Sequence, residues 1–265
     1  MPNLIELYDR DQARRGLSVS TRMSRRRCLS MLDAGPGLFA HREAIETFLD
    51  SRELSAKSRS VWISHLAGFY AWAIASGYGS DNPMVAVRPP KVPKGLPRPF
   101  SDVELDGLLA VAGPRMKAML LLGALGGLRC MEMANLKAED ILEGKAVRVF
   151  GKGAKERIVP LHVELIAALD ALGVQSGYLF LNRFGQPMSA NGISHELGRY
   201  IHDCGVEGGA HRLRHWFGTN TYRSTLDIVL TQNLLGHSDL TSTSVYAAAD
   251  QSRAVAAIGG LRVGA

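Results

Sequence analysis

Through residues 4–76 the apolar positions recur at every third or fourth place, the spacing of helices and not of strands. Leu4–Arg15 reads as one helix, and Ser20–Leu32 as a second with Ser20 and Thr21 as candidate caps. His41–Leu49 is a third, with Ile45, Phe48 and Leu49 on one face. Ser55–Ser76 is a fourth, whose Val61, Leu66, Phe69, Tyr70, Ala73 and Ile74 make a broad apolar stripe that Gly77 and Gly79 end.

Helical spacing then stops. Between Asn82 and Phe100 stand six of the chain's 11 prolines, which remove backbone donors and favour extended neighbours. This stretch behaves as a semi-rigid spacer, and its Lys91 and Lys94 can lie along phosphates. Beyond it, Ser101-Asp102-Val103-Glu104 is a capping box, and a helix is expected from Pro114 to about Leu125. Ala146–Phe150 and Arg157–Leu161 flank Gly151-Lys152-Gly153-Ala154-Lys155 as strand, turn and strand. From Val163 the pattern is mainly helical, with loops at Gly173–Gly177, Arg183–Pro187 and Gly205–Gly209. The expected fold is mainly α with a small antiparallel β-sheet (α+β). A helical domain spans 1–88, a linker 89–97 and a second domain 98–265.

At 265 residues, 46% hydrophobic and 21% charged, the composition excludes disorder and collagen-like repeats. The longest apolar run, Ala118–Leu128, is far short of the ~20 residues that span a bilayer. No basic-then-apolar leader opens the chain, so a cytoplasmic protein with no membrane partner is expected. Cys28, Cys130 and Cys204 are too scattered for a disulfide framework or a zinc site and are expected to be buried, reduced thiols. The net charge of +6 is shared by both sides of residue 90 and permits a polyanionic partner. Arg22, Arg25, Arg26 and Arg27 cluster on the second helix, either as a solvated basic face or as phosphate contacts.

Several fragments are ordinary one at a time. Arg129 and Glu132 at i, i+3 would make a local salt bridge, and Lys152 and Lys155 would be solvated turn lysines. His211 and Arg214 stand one helical turn apart, His237 follows a Leu-Gly helix stop, and Tyr246 would be a packing tyrosine. Together they read Arg129, Lys152, His211-x-x-Arg214, His237, Tyr246 at intervals of 23, 59, 3, 23 and 9. In this order and spacing the words GGLRCME, GKGAKER, HRLRH and LLGHSDLTSTSVY resemble the tyrosine recombinase (phage integrase) family. The helical basic N-terminal region is similar to that family's core-binding domain, by pattern and not by motif. Ala210 departs from the proline often found there, and Gly127 occupies a variable position; neither carries chemistry.

The resemblance implies a site-specific DNA recombinase that cuts and rejoins double-stranded DNA through a 3′-phosphotyrosyl link. Two guanidiniums suit the role of Arg129 and Arg214, because each donates paired hydrogen bonds to non-bridging oxygens that gain charge. Tyr246 would be the nucleophile, His211 would take its proton, Lys152 would protonate the leaving oxygen, and His237 would bond a non-bridging oxygen. Glu132 would orient its neighbours, and Lys155 would touch DNA. No metal or other cofactor is expected, since the cations come from side chains; no ATP loop of the Gly-x-x-x-x-Gly-Lys kind is present. The chain begins almost at the core-binding pattern, so a small form without an arm-binding domain is expected. The resemblance also implies a homotetramer on paired sites, largely monomeric when free, with a tail helix after Tyr246 that docks on a neighbour. Accessory DNA-bending or directionality proteins are further partners it implies. Two rivals are a type IB topoisomerase-like relaxing enzyme and a catalytically idle DNA-binding accessory protein.

Overall fold

The computed structural model describes residues 3–92, 97–151 and 156–236. The chain divides into two compact units, Met1–Lys94 and Gly95–Ala265.

In the first unit, helices α1 (Leu4–Arg14), α2 (Val19–Asp33), α3 (Arg42–Asp50) and α4 (Ala56–Ala75) surround one core. Asn3 caps α1, accepting from the amides of Ile5 and Glu6. The α2 cap is Ser18, which accepts from the Thr21 amide, and not Ser20 or Thr21 as expected. Tyr8 of α1 packs edge-on to Phe69 of α4, ring centroids 5.5 Å apart, and also touches Trp72. Gly68 permits this approach, because a Cβ there would lie 3.0 Å from the Tyr8 hydroxyl. The apolar stripe of α4 matches its expected face at Leu66, Phe69, Tyr70 and Ala73 and departs from it at its margins. Val61 and Ile74 are exposed, while Ile63 and the polar His65 are buried with Leu66, Phe69, Tyr70 and Ala73. Tyr70, stripped of water, has its phenol pushed up to about 12.

In the second unit, the capping box at Ser101 and Glu104 opens α5 (Asp102–Ala110), each side chain bonding the other's amide. Helix α6 (Pro114–Ala124) is buried from Ala118 to Ala124 and packs against α8 (Val163–Asp170) and α10 (His211–Thr225). A helix apolar on all sides belongs inside a domain. Gly123 lets α10 come close, since a Cβ there would meet the Leu213 Cβ at 2.8 Å. Helix α7 (Cys130–Asn135) packs against α9 (Ala190–Asp203). The sheet has three antiparallel strands in the order β1 (Ile141–Leu142), β2 (Ala146–Phe150), β3 (Glu156–Pro160), one more than the expected hairpin. Alternation turns Val147, Val149 and Val159 to the core. Helix α11 (Ile228–Leu235) follows α10 and lies beside β3.

The cysteines depart in part from expectation. All three are free; Cys28 is buried, with its thiol pushed up to about 12, but Cys130 is half-buried and Cys204 is exposed at the end of α9. No helix of the described residues is long and apolar enough to cross a membrane.

Candidate functional site

The site begins with a turn. After α6, Gly127 takes a left-handed φ of +62°, and the chain then enters α7 with Arg129 as its N-cap. A capping residue leaves its own amide without a helical partner, and a carboxylate three places on can supply one. Glu132 does so: Oε2 accepts from the Arg129 amide at 2.8 Å, while Oε1 accepts from Arg129 Nη1 at 2.8 Å. Glu132 is only 5% exposed, whereas the Arg129 side chain remains 37% exposed.

Two more guanidiniums reach the same carboxylate. Arg157 of β3 makes a forked pair, Nη1 to Oε1 and Nη2 to Oε2, each 2.9 Å. Arg214 of α10 places Nη1 3.8 Å from Oε2. Burial alone would raise the Glu132 pKa. The hydrogen bonds and charge of Arg157, with the Arg129 amide and Arg214, outweigh it and hold the carboxyl below its ordinary value. One buried anion thus gathers three cations, and the cluster retains an excess of positive charge.

Arg214 is 1% exposed and is fixed by backbone as well: Nη1 donates to the Gly127 carbonyl and Nη2 to the Leu235 carbonyl, the latter at 2.6 Å. One turn earlier, His211 starts α10 and is exposed. Its ring packs edge-on against His215, centroids 4.4 Å apart and 71° between planes. Burial, then His211 and Arg214, push the His215 pKa from 6.5 down to about 4. His215 is therefore a neutral ring at pH 7. The next residue along α10, Arg212, points elsewhere. It donates to the carbonyls of Arg98 and Pro99 at 3.1 and 3.0 Å, approaches Glu104 at 3.3 Å, and lies 4.2 Å over the Phe100 ring.

Helix α11 closes the arrangement. Gly236 caps it with φ +63°, a left-handed value suited to glycine, and a Cβ there would lie 2.9 Å from Arg157 Nη1. Arg157 also donates from Nε to the Leu234 carbonyl at 2.8 Å. Arg157 closes the word GKGAKER, which by itself assigns it no role. The signal available was an arginine on the inward alternation of β3, directly opposite Val149.

The structure therefore brings together Arg129, Glu132 and Arg214, with His211 one turn from Arg214. Lys152, Lys155, His237, Tyr246 and Lys94 lie outside the described residues, as does the tail after Tyr246. Lys91 is exposed. Of the α2 arginines, Arg26 and Arg27 are exposed. Arg22 pairs with Asp9 at 3.2 Å, and Arg25 donates to Gln12 at 2.9 Å and to the Tyr8 hydroxyl at 3.3 Å. Among the described residues no group of three His, Cys, Asp or Glu side chains is placed to hold a metal ion.

Comparison with known proteins adds a family. The phage integrase family profile matches residues 103–253. The tyrosine recombinase XerD of Xanthomonas axonopodis pv. citri (strain 306) is 33% identical over 280 aligned residues, covering 92% of each chain. XerA of Thermococcus kodakarensis (strain ATCC BAA-918 / JCM 12380 / KOD1) is 37% identical over 63% of this chain and 64% of its own. Among solved structures, a lambda integrase dimer bound to a COC′ core site superposes with a TM-score of 0.75 at 22% identity, covering 92% of this chain and 75% of that one. A lambda integrase tetramer bound to a Holliday junction gives 0.73 at 20% identity, over 90% and 77% of the two chains. At these identities the likeness is one of fold.

Proposed function

Because the chain belongs to the phage integrase family and is a site-specific tyrosine recombinase, we propose that the arginines around Glu132 clamp the scissile phosphate and that Tyr246 attacks it. The observation that carries this reading is the shared anchor: Arg129 and Arg214, 85 positions apart, meet at one buried carboxylate. A phosphodiester repels nucleophiles, and its transition state places more charge on the non-bridging oxygens. Donors fixed beforehand stabilise that charge without reorganising during the reaction. Arg129 is the exposed member and faces substrate, while the buried Arg214 supplies fixed positive charge behind it.

In the proposed step the Tyr246 phenol passes its proton to His211 and its oxygen bonds phosphorus. The bond from phosphorus to the deoxyribose 5′-oxygen breaks, and Lys152 protonates that oxygen as it leaves. A 3′-phosphotyrosyl ester remains, with bond energy conserved, and the reverse step with a new 5′-hydroxyl rejoins the strand. His237 bonds a non-bridging oxygen. Charge neutralisation resides in the clamp, so neither a divalent ion nor ATP is needed.

The partner is double-stranded DNA. The helical unit meets DNA phosphates through Arg22, Arg25, Arg26 and Arg27, of which Arg26 and Arg27 are exposed, together with Lys91 and Lys94 of the linker, and Lys155 touches the DNA. Residues 1–88 and 98–265 then act as core-binding and catalytic domains joined by 89–97. The enzyme works in the cytoplasm, largely monomeric when free and as a tetramer on two paired sites; the lambda integrase dimer and tetramer bound to DNA support the assembly on DNA. The test is plasmid recombination between two copies of the crossover sequence mapped in DNA flanking the gene, run in EDTA without ATP. Exchange between the two copies supports the reading. Relaxation of supercoils on a plasmid lacking the sequence, with no exchange, would favour a topoisomerase instead.

A further inference from the structure

We infer that Arg157 is a positioning residue for DNA cleavage, holding the Glu132 carboxylate so that Arg129 meets the scissile phosphate with the charge of Arg214 fixed behind it. The inference rests on the clamp reading above and extends it to Arg157, the last residue of the word GKGAKER, to which the resemblance assigned no role.

Arg157 stands where a strand pattern calls for an apolar side chain. It faces inward opposite Val149, next to the buried Val147 and Val159, and its side chain is only 10% exposed. A guanidinium buried this deeply is tolerated only when its donors are satisfied. Here Nε, Nη1 and Nη2 all have partners: the Leu234 carbonyl and the two oxygens of Glu132. The planar fork matters, because it fixes the plane of the carboxylate and not merely its position. Glu132 Oε1 is shared between Arg157 and Arg129, so the angle at which Arg157 holds the carboxylate sets where Arg129 Nη1 points.

The other end of Arg157 is equally specific. Leu234 lies in the last turn of α11, and the Gly236 cap leaves room for the guanidinium. The same turn supplies the Leu235 carbonyl that accepts from Arg214. Arg157 therefore joins β3, the carboxylate beneath Arg129, and the helix end that holds Arg214. Without Arg157 the fold retains its apolar core, but the carboxylate is held chiefly from the Arg129 side and can turn.

The test is single-turnover cleavage of a nicked duplex oligonucleotide carrying the mapped crossover sequence. Wild type is compared with Arg157→Gln, Arg157→Lys, Glu132→Gln and the double variant E132Q/R157Q, with duplex affinity and thermal midpoint measured beside the rate. For Arg157→Gln the expected result is affinity within about twofold of wild type and an adduct rate lower by about 10²-fold, the scale of a misplaced catalytic group. Arg157→Lys recovers part of the rate, because an ammonium keeps the charge but not the fork. The double variant falls no more than about threefold below the slower single variant, since both changes break one link.

A second substrate, with an uncharged methylphosphonate at the scissile position, lacks the charge that the clamp neutralises. On it the Arg157→Gln deficit shrinks. Equal deficits on both substrates, losses that multiply in the double variant, or an unchanged rate in Arg157→Gln each overturn the inference. If Arg157→Gln does not fold, Arg157→Lys carries the same two-substrate comparison. Absence of any adduct from wild type would instead defeat the clamp reading itself.

Discussion

Arg214 donates to the carbonyl oxygen of Gly127, so an arginine of α10 is tied to the turn that begins α7 at Arg129. The two proposed clamp arginines are thus related twice, once through the Glu132 carboxylate and once through this backbone. Gly127 is held from its other side by Phe217, whose Cδ1 would lie 2.5 Å from a Cβ at that position.

Gly127→Ala is expected to be costly for two reasons. A Cβ at positive φ adds about 1–2 kcal/mol, and overpacking against Phe217 about 1–3 kcal/mol. Urea unfolding should show a loss of several kcal/mol, whereas Gly198→Ala, in open space on α9, should gain up to about 1 kcal/mol. Equal midpoints for the two variants would contradict the packing described.

The low pKa of His215 makes stability depend on pH in a definite direction. The unfolded chain binds a proton at this ring near its ordinary pKa of 6.5, but the folded protein not until about 4. Between those values the unfolded state holds more protons, so stability falls as pH drops, by up to about 1.4 kcal/mol per pH unit. Below 4 the term is lost in full and grows no further. His215→Gln should flatten the curve in this window. The Glu132 contribution has the opposite origin, a lowered carboxyl pKa, and is lost only below the ordinary carboxylate value of 4.5. A variant with the wild-type slope between pH 6.5 and 4 would show that His215 is not the group responsible.

Arg212 is expected to act on folding and not on chemistry. It ties the carbonyls of residues 98 and 99, and the Phe100 ring, to the start of α10. Arg212→Gln should lower stability by about 1–3 kcal/mol, since charged hydrogen bonds and a cation–π contact disappear together. Its adduct rate at saturating enzyme should stay near that of wild type. A large loss of rate with unchanged unfolding would place Arg212 in the reaction.

Much of this was legible in the chain, for reasons that also explain the rest. Helix ends were marked by local chemistry, as with Ser55, Ser101 and Gly77, and local chemistry is what a single sequence displays. Arg129 with Glu132, and His211 with Arg214, share helical turns, so short spacing revealed each pair. The face of α4 carrying Leu66, Phe69, Tyr70 and Ala73 was legible, but its margins at Val61 and Ile74 were not, because apolar residues occur on nearly every side of this helix. Strand β1 spans only Ile141–Leu142, too short for alternation to register. Arg157 was missed because its partners lie 25 and 77 positions away, and only the folded chain brings them together.

Covalent trapping tests the central claim most directly. A nicked duplex carrying the crossover sequence should leave a strand attached to the enzyme at its 3′-phosphate, and peptide mapping should place it on Tyr246. Tyr246→Phe should abolish the adduct while duplex binding persists. An adduct that survives this substitution, or that maps to Tyr222, would contradict the account.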